Sequence, residues 1–266
     1  MLDQFNRRIS YLRISITDRC NLRCSYCIPC EDFVVLPQNE ILRFNEIVEV
    51  VKQAVELGVY KVRITGGEPL VRRDVVRLVE MIAGIGGIRD FGMTTNGILL
   101  EKFALPLARA GLMRVNVSLD TVDKMKFSRL TSGGDINRVF RGIAAARDAG
   151  LEPVKINCVV SGSSSEPDAA AVKRFAADNG LEARFIHQMN LEDGEFSIVE
   201  GGEGGDCHRC NRLRLTANGK VRPCLFSDLS YDVRTLGARN ALLSAVRHKP
   251  ECGTSCNHNH FYNLGG

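Results

Sequence analysis

The sequence predicts an α/β fold laid out as an open barrel of strand–helix units. Three observations carry that prediction. From residue 9 to about 190, short β-branched runs alternate with amphipathic helical stretches, the pattern of parallel β/α units. The units number six, too few for a closed eight-fold barrel, so a partial (β/α)6 TIM-like barrel of crescent section is expected. The residues least suited to a packed core, cysteines and a glycine pair, follow strand-like runs, where barrels of this kind carry their sites.

The strand-like runs are Tyr11–Ile16, Lys61–Ile64, Phe91–Thr94, Arg114–Val117, Pro153–Val160 and Ala183–Ile186. Between the first two, Asn45–Leu57 is helical by period. Ile47, Val48, Val51, Ala54 and Val55 share one face, Asn45 can cap the start and Gly58 can close the end. The same reading fits Asp74–Ile82, Leu99–Ala110, Ile136–Ala149 and Pro167–Asp178, most with a glycine soon after the last turn. After Met189 the alternation stops. Residues 190–206 are rich in Gly, Asp and Glu and read as a linker. A strand-like Leu213–Thr216, an Asn218-Gly219 turn and a strand-like Val221–Phe226 follow, and Asn-Gly between two such runs is the strongest short hairpin signal. The chain thus divides into a barrel, 1–190, and a C-terminal region, 191–266.

With 266 residues and 44% apolar content, the chain can bury one large core, or a core and a small appendage. It has no apolar run of membrane-spanning length and no basic–apolar–small leader, so a cytoplasmic protein with no membrane partner is expected. A net charge of +4 without a Lys/Arg block gives no footprint for nucleic acid, and any anion site must be local. Ten cysteines point to metal rather than disulfides in such a chain. They cluster: four lie in 20–30, three in 207–224, two in 252–256, and Cys158 stands alone.

Cys20, Cys24 and Cys27, spaced C-x3-C-x2-C, end the first strand-like stretch. A cubane iron–sulfur cluster has four irons, so three thiolates leave one open to chelate a substrate or cofactor. Spacing alone leaves two alternatives, buried small hydrophobes or a zinc site completed by Cys30. Thr65-Gly66-Gly67-Glu68-Pro69 directly follows the second run. Its glycine pair permits a tight bend, and exposes backbone groups able to hold an amine or carboxylate. Further on, the hairpin would fold Cys224 back toward Cys207 and Cys210, so a 13-residue gap can still make one metal site. The fold expected is therefore the partial barrel with a C-terminal iron–sulfur cluster-binding hairpin extension.

On these residues the chain resembles the radical S-adenosylmethionine (SAM) superfamily, whose hallmarks are C-x3-C-x2-C after the first strand and a GGEP-like segment after the second. Further segments match one of its families. They are Asp18-Arg19-Cys20-Asn21-Leu22-Arg23-Cys24, Arg63 through Pro69, Thr94-Thr95-Asn96-Gly97, Asn116-Val117-Ser118-Leu119-Asp120, Cys207-x2-Cys210-Asn211-Arg212-Leu213-Arg214 through Cys224-Leu225-Phe226, and the terminal Gly265-Gly266. Together they are similar, in collinear order, to the GTP 3′,8-cyclases of molybdenum-cofactor biosynthesis.

The resemblance implies two [4Fe-4S] clusters and SAM as cofactors, and GTP as substrate. Cys20, Cys24 and Cys27 would hold the SAM-binding cluster, with Gly67, Ser118, Met189 and the backbone at Tyr26 against SAM. Cys207, Cys210 and Cys224 would hold a second cluster whose open iron faces guanine. Arg13, Lys61, Arg63, Thr94, Lys155, Arg184, Arg212 and Arg214 match positions around the nucleotide, and Arg and Lys at strand ends suit phosphate oxygens. Gly265 and Gly266 would form a thin tail entering the cavity. The implied reaction is reductive cleavage of SAM to methionine and a 5′-deoxyadenosyl radical. That radical takes the ribose 3′-hydrogen of GTP, and the carbon radical closes on guanine C8. An electron-donor protein is implied as partner, and a homodimer is allowed.

The chain departs from that family in three places. Only 17 residues separate Met189 from Cys207, so a strand and helix that cover the nucleotide side are expected to be missing. His187 replaces a carboxylate and is given no role. Cys30, Cys252 and Cys256, with His258 and His260, are extra ligand candidates. If Cys252 or Cys256 sealed the second cluster, the chain would be a radical SAM enzyme acting on a peptide or another small molecule. A separate zinc site, free thiols, and a zinc-bound structural protein are the remaining readings.

Overall fold

The computed structural model describes residues 1–27, 35–190, 194 and 196–256. Cys30, His258, His260, Gly265 and Gly266 lie outside the described residues.

Six β/α units run in the expected order. The strands are β1 (Tyr11–Ser15), β2 (Lys61–Thr65), β3 (Asp90–Thr95), β4 (Arg114–Ser118), β5 (Lys155–Val160) and β6 (Glu182–His187). The helices between them are α1 (Phe44–Glu56), α2 (Val75–Ala83), α3 (Leu100–Arg109), α4 (Lys124–Leu130), α5 (Ile136–Asp148) and α6 (Pro167–Asp178). The short α4 has no counterpart in the sequence pattern. Asn45, expected to cap α1, lies inside its first turn, and the Arg43 N–H donates to the Glu46 carboxylate at 2.7 Å.

The C-terminal region adds β7 (Arg212–Leu215), β8 (Lys220–Arg222), β9 (Tyr231–Asp232), α7 (Val233–Leu236) and α8 (Ala238–Arg247). All nine strands form one sheet, ordered β6-β5-β4-β3-β2-β1-β7-β8-β9. β7 lies parallel to β1, and the hairpin then turns antiparallel through Asn218-Gly219, with Gly219 at φ +87°. The strand expected over Val221–Phe226 stops at Arg222. Pro223 has no N–H to continue the ladder, so Cys224 sits just beyond the strand.

Strand residues facing the helices, such as Leu12, Ile14, Val62, Ile64, Met93 and Val115, are fully buried and join the helical faces in one core. Each such side chain contributes about 1.5–3 kcal/mol. The opposite face is polar. Tyr11, Arg13, Lys61, Arg63, Thr94, Asn116, Asn157, Arg184 and Arg212 come from all seven of β1–β7 and line one cavity. Seven flat strands about 4.8 Å apart would spread the outermost by roughly 29 Å, so the sheet is bent around that cavity. Its edges, β6 and β9, do not pair with each other among the described residues, and the barrel is open. No helix of the described residues is long and apolar enough to cross a membrane.

Candidate active site

The first cysteine loop is fixed by backbone contacts on two sides. On one, Arg23 and Ser25 N–H groups donate to the carbonyls of Thr131 and Leu130 at the end of α4, at 3.2 and 3.1 Å. On the other, Gly67 N–H donates to Thr17 O at 2.7 Å and Glu68 N–H to Arg19 O at 2.8 Å. A Cβ on Gly66 would lie 2.7 Å from Thr17 O, and one on Gly67 2.5 Å from Arg19 O. The pair therefore serves first to let the cysteine loop lie against β2. The Gly67 N–H, expected to face a ligand, is spent on Thr17.

Glu68 is buried and ties the loop to β3, accepting from Thr95 Oγ1 at 2.8 Å and from the Asn96 N–H at 2.7 Å. Burial pushes its carboxyl up to about 7, against the pull of those donors. Asn96 in turn donates to Asn21 Oδ1 at 2.8 Å and approaches Cys20 Sγ at 3.8 Å. The Tyr26 hydroxyl donates to Asp120 Oδ2 at 2.6 Å, and the Val159 N–H to Asp120 Oδ1 at 2.8 Å. Tyr26 is thereby held by its side chain beside the cavity it lines. Burial, then the neighbouring thiols and Asp120, push Cys24 and Cys27 up to about 12 and about 11. Cys20, Cys24, Cys27, Tyr26, Gly67, Ser118 and Met189 line one cavity, and His187 lines it as well.

The next cavity is cationic. Arg13 stands in register with Arg63 on one side and Arg214 on the other. Like charges side by side are destabilising, and Arg63 and Arg214 are buried. The Nε atoms of Arg63, Arg184 and Arg212 and the Thr94 hydroxyl are buried without a hydrogen-bond partner among the described residues. Such atoms call for an anionic, multiply accepting ligand. Lys61 faces Asp90 at 3.3 Å and Glu203 at 3.9 Å. Lys155 does not line the cavity: it is paired with Glu182, its register partner on β6. Tyr11 was not singled out by motif, although it shares the Arg13 face by strand alternation. Burial would raise its phenol, but Arg63, Arg13, Arg212 and Lys61 together pull it down to about 8.

The third cavity holds Cys207, Cys210 and Cys224, with Arg13, Arg212, Arg214 and Lys249 on its wall. Burial, then Cys252, pushes Cys207 up to about 12. Burial acts the same way on Cys210, but Lys249 and Arg212 outweigh it and hold that thiol below its ordinary value. Cys252 is exposed, absent from the cavity lining, and its Sγ lies 2.9 Å from that of Cys207. Cys256 is buried against Leu225 and Phe226, 3.3 Å from Asp228 Oδ1. Cys158 is buried on β5.

Residues 196–206, expected to be a linker, are cavity wall instead. Glu200 bridges to Phe185 on the β6 edge, Phe196 stacks on Phe226 at 4.7 Å, and Val199, Glu203 and Gly204 line both of the later cavities. Glycine lets this strap press close: a Cβ on Gly201 would meet Ala183 O at 2.6 Å. Asn157 and Ile186 line all three cavities, and Met189 borders the first and third. The two cysteine sites thus open on one continuous space, with the cations between them.

Parallel strands, three thiols at the first strand's end and a glycine-braced loop define a radical SAM enzyme. Residues 14–176 match the Radical SAM superfamily, and the chain belongs to it. Among its relatives is the GTP 3′,8-cyclase of Thermodesulfovibrio yellowstonii, 41% identical over 305 residues that cover 94% of this chain and 95% of the relative. Another is that of Alkaliphilus oremlandii, 38% identical over 293 residues, covering 94% and 89%. Within the superfamily the chain therefore belongs to the family of proteins named GTP 3′,8-cyclase. Both alignments are longer than the 266 residues of this chain, in keeping with a shortened polypeptide. The fold is shared with Streptococcus suis SuiB bound to S-adenosylmethionine, at 18% identity and a TM-score of 0.68, over 92% of this chain and 66% of SuiB.

Superfamily membership brings SAM and a [4Fe-4S] cluster, and the first site fits them. Its three thiols are soft donors suited to iron–sulfur ligation. Among the described residues no three His, Cys, Asp or Glu side chains converge on a single ion. A cubane, being larger than one ion, does not require that they do.

Proposed function

We propose that the chain is a GTP 3′,8-cyclase that uses two clusters, making the precursor from which molybdopterin is built. The observation that carries this reading is the continuous cavity with three cysteines at each end and unpartnered arginine nitrogens between them. Cys20, Cys24 and Cys27 hold the first cluster, and the wall formed by Gly67, Ser118, Met189 and the Tyr26 backbone receives SAM. Arg63, Arg184, Arg212 and Thr94 present donors to the triphosphate, with Arg13 and Arg214 completing the row. Lys61 is a weaker contributor, because Asp90 and Glu203 compete for it, and Lys155 has to leave Glu182 to take part. Cys207, Cys210 and Cys224 hold the second cluster beside the base.

When bound, SAM and the first cluster supply the reducing cleavage that generates a hydrogen-abstracting radical. The chain's own task is to bind, orient and keep water out. Ile186, Met189, Val199 and Phe196 give the space an apolar lining, which limits the water admitted beside a reactive species. The Asp120–Tyr26 hydrogen bond and the Glu68 brace keep the first cysteine loop in one place, and the 196–206 strap covers the nucleotide side. An electron-donor protein completes the system, and a cytoplasmic setting suits oxygen-sensitive clusters.

The test is anaerobic incubation of reconstituted protein with GTP, SAM and a reductant. The reading expects 5′-deoxyadenosine together with a cyclised guanosine triphosphate. Deoxyadenosine formed without GTP consumption would overturn it in favour of another substrate, such as a peptide.

A further inference from the structure

Among the described residues, Arg7 and Lys249 are both buried beneath the C-terminal cysteine loops, and of these two Arg7 alone has a carboxylate. Arg7 donates to the Asp3 carboxylate at 2.7 Å and to the carbonyls of Cys207 and Glu251, both at 2.7 Å, and of Pro250 at 2.6 Å. It fastens the segment 250–251 to the Cys207 loop, and its charge is neutralised within the protein. Lys249 is 1% exposed and donates to the Arg212 carbonyl at 2.9 Å and to the Pro223 carbonyl. No ion pair with a carboxylate involves it among the described residues.

Burying an ammonium without a counter-charge is among the most costly choices a fold can make, and two carbonyl dipoles offset it only in part. The acceptors that Lys249 uses are informative. Arg212 lies two residues after Cys210, Pro223 immediately precedes Cys224, and Lys249 lines the third cavity together with both cysteines. Among the described residues, the groups on that cavity wall that can carry the missing negative charge beside Lys249 are the sulfurs of Cys210 and Cys224.

We propose that the Lys249 ammonium is the counter-charge of the cluster held by Cys207, Cys210 and Cys224. It positions both ligand loops and favours the cluster's reduced form. The proposal rests on the two-cluster reading above. A cluster gains negative charge on reduction, so a fixed cation beside it raises its potential. Lys249 acts through the ligand loops and its field, and is a positioning residue rather than a catalytic one.

The experiment is an anaerobic redox titration of the full reconstituted chain, followed by electron paramagnetic resonance, on wild type, Lys249→Met and Lys249→Arg. At a fixed solution potential, Lys249→Met is expected to shift the second cluster at least tenfold toward its oxidised form. For a one-electron couple that is about 59 mV. The first cluster serves as internal control and stays in place, and Lys249→Arg remains within about threefold of wild type. An unchanged second potential in Lys249→Met overturns the proposal. So does equal loss of the second cluster from the Met and Arg variants, since shape rather than charge would then be at issue. Should Lys249→Met fail to fold, Lys249→Gln, which keeps donors without the charge, is judged by the same criteria. Iron content separates the two ideas. A wild type that binds no more iron than a Cys207→Ser, Cys210→Ser, Cys224→Ser variant overturns the two-cluster reading itself, and the counter-charge with it.

Discussion

The two three-cysteine sites face the same space from opposite electrostatic settings. Around Cys20, Cys24 and Cys27 stand Glu68 and Asp120, with Arg23 the cation beside Cys20, and burial first, then these acids and the neighbouring thiols, raises all three thiols above their ordinary value. Around Cys210 and Cys224 stand Arg212, Arg214 and Lys249, and Cys210 is lowered, while at the rim burial and Cys252 raise Cys207. Acidic neighbours disfavour an electron arriving on a cluster, and cationic ones favour it. The first surroundings suit a strongly reducing centre that must break a bond in SAM. The second suit a centre that holds a substrate already bearing negative charge. One fold can keep the two apart because the first site is built from the loops after β1–β4 with the end of β6, whereas the second borrows the cation row of β1 and β7.

The sharpest way to break this division of labour is to remove one set of thiols at a time. Cys24→Ala is expected to abolish 5′-deoxyadenosine formation and lower iron to roughly half. A Cys210→Ala variant should keep SAM cleavage while losing the cyclised nucleotide. Iron assay and product chromatography on the same preparations check both, and loss of SAM cleavage in Cys210→Ala would contradict the separation.

Next in size is the cation row. Arg63→Ala and Arg212→Ala should each weaken GTP binding by about 2 kcal/mol, roughly thirtyfold in Kd. Lys155→Ala, already neutralised by Glu182, should change it by less than about threefold. Calorimetric titration under anaerobic conditions distinguishes these, and equal losses at Arg63 and Lys155 would mean that nucleotide binding rearranges β5 and β6.

Tyr11 gives the cavity a pH dependence. Its folded value of about 8 lies below the ordinary 10.0, so the ionised form is favoured by folding. The resulting stabilisation is full above pH 10 and lost as pH falls through about 8. GTP binding follows the reverse course, because a phenolate cancels one of the cations the triphosphate needs. Affinity should fall by up to about tenfold per pH unit above 8, and Tyr11→Phe should flatten that slope. A Tyr11→Phe variant with the wild-type slope would move the titration to another group.

The smallest effect is expected at Cys252. Its exposure and absence from the cavity lining predict that Cys252→Ser retains both clusters and keeps product formation within about twofold. Loss of the second cluster in that variant would make Cys252 a fourth ligand, and would close the iron proposed for guanine.

The barrel was legible because six units repeat one pattern, and every strand core fell within the runs chosen from β-branched residues. The first cysteine site was legible for the same local reason, being a single loop plus a glycine pair. What escaped depends on distant partners. The pairing of β7 with β1 joins residues two hundred positions apart, and a four-residue strand says nothing of its neighbour. Residues 196–206 looked like a linker because glycine and acid are abundant there, but the same glycines let the strap press on β6. The helix Ala238–Arg247 did leave a trace in Ala241, Leu242, Ala245 and Val246, spaced for one face. Lys249 left none, since a lone lysine beside a proline is ordinary until its burial is seen.

The parallel docking of β7 against β1 also governs how the polypeptide must be made. Until residue 212 has emerged from the ribosome, Tyr11–Ser15 presents an unclaimed hydrogen-bonding edge carrying Leu12 and Ile14, the kind of edge that recruits other chains. Long-range closure of this sort is slow, so the nascent protein waits exposed for most of its synthesis. A fragment ending near residue 190 would inherit that raw edge permanently. It should aggregate where the whole polypeptide does not.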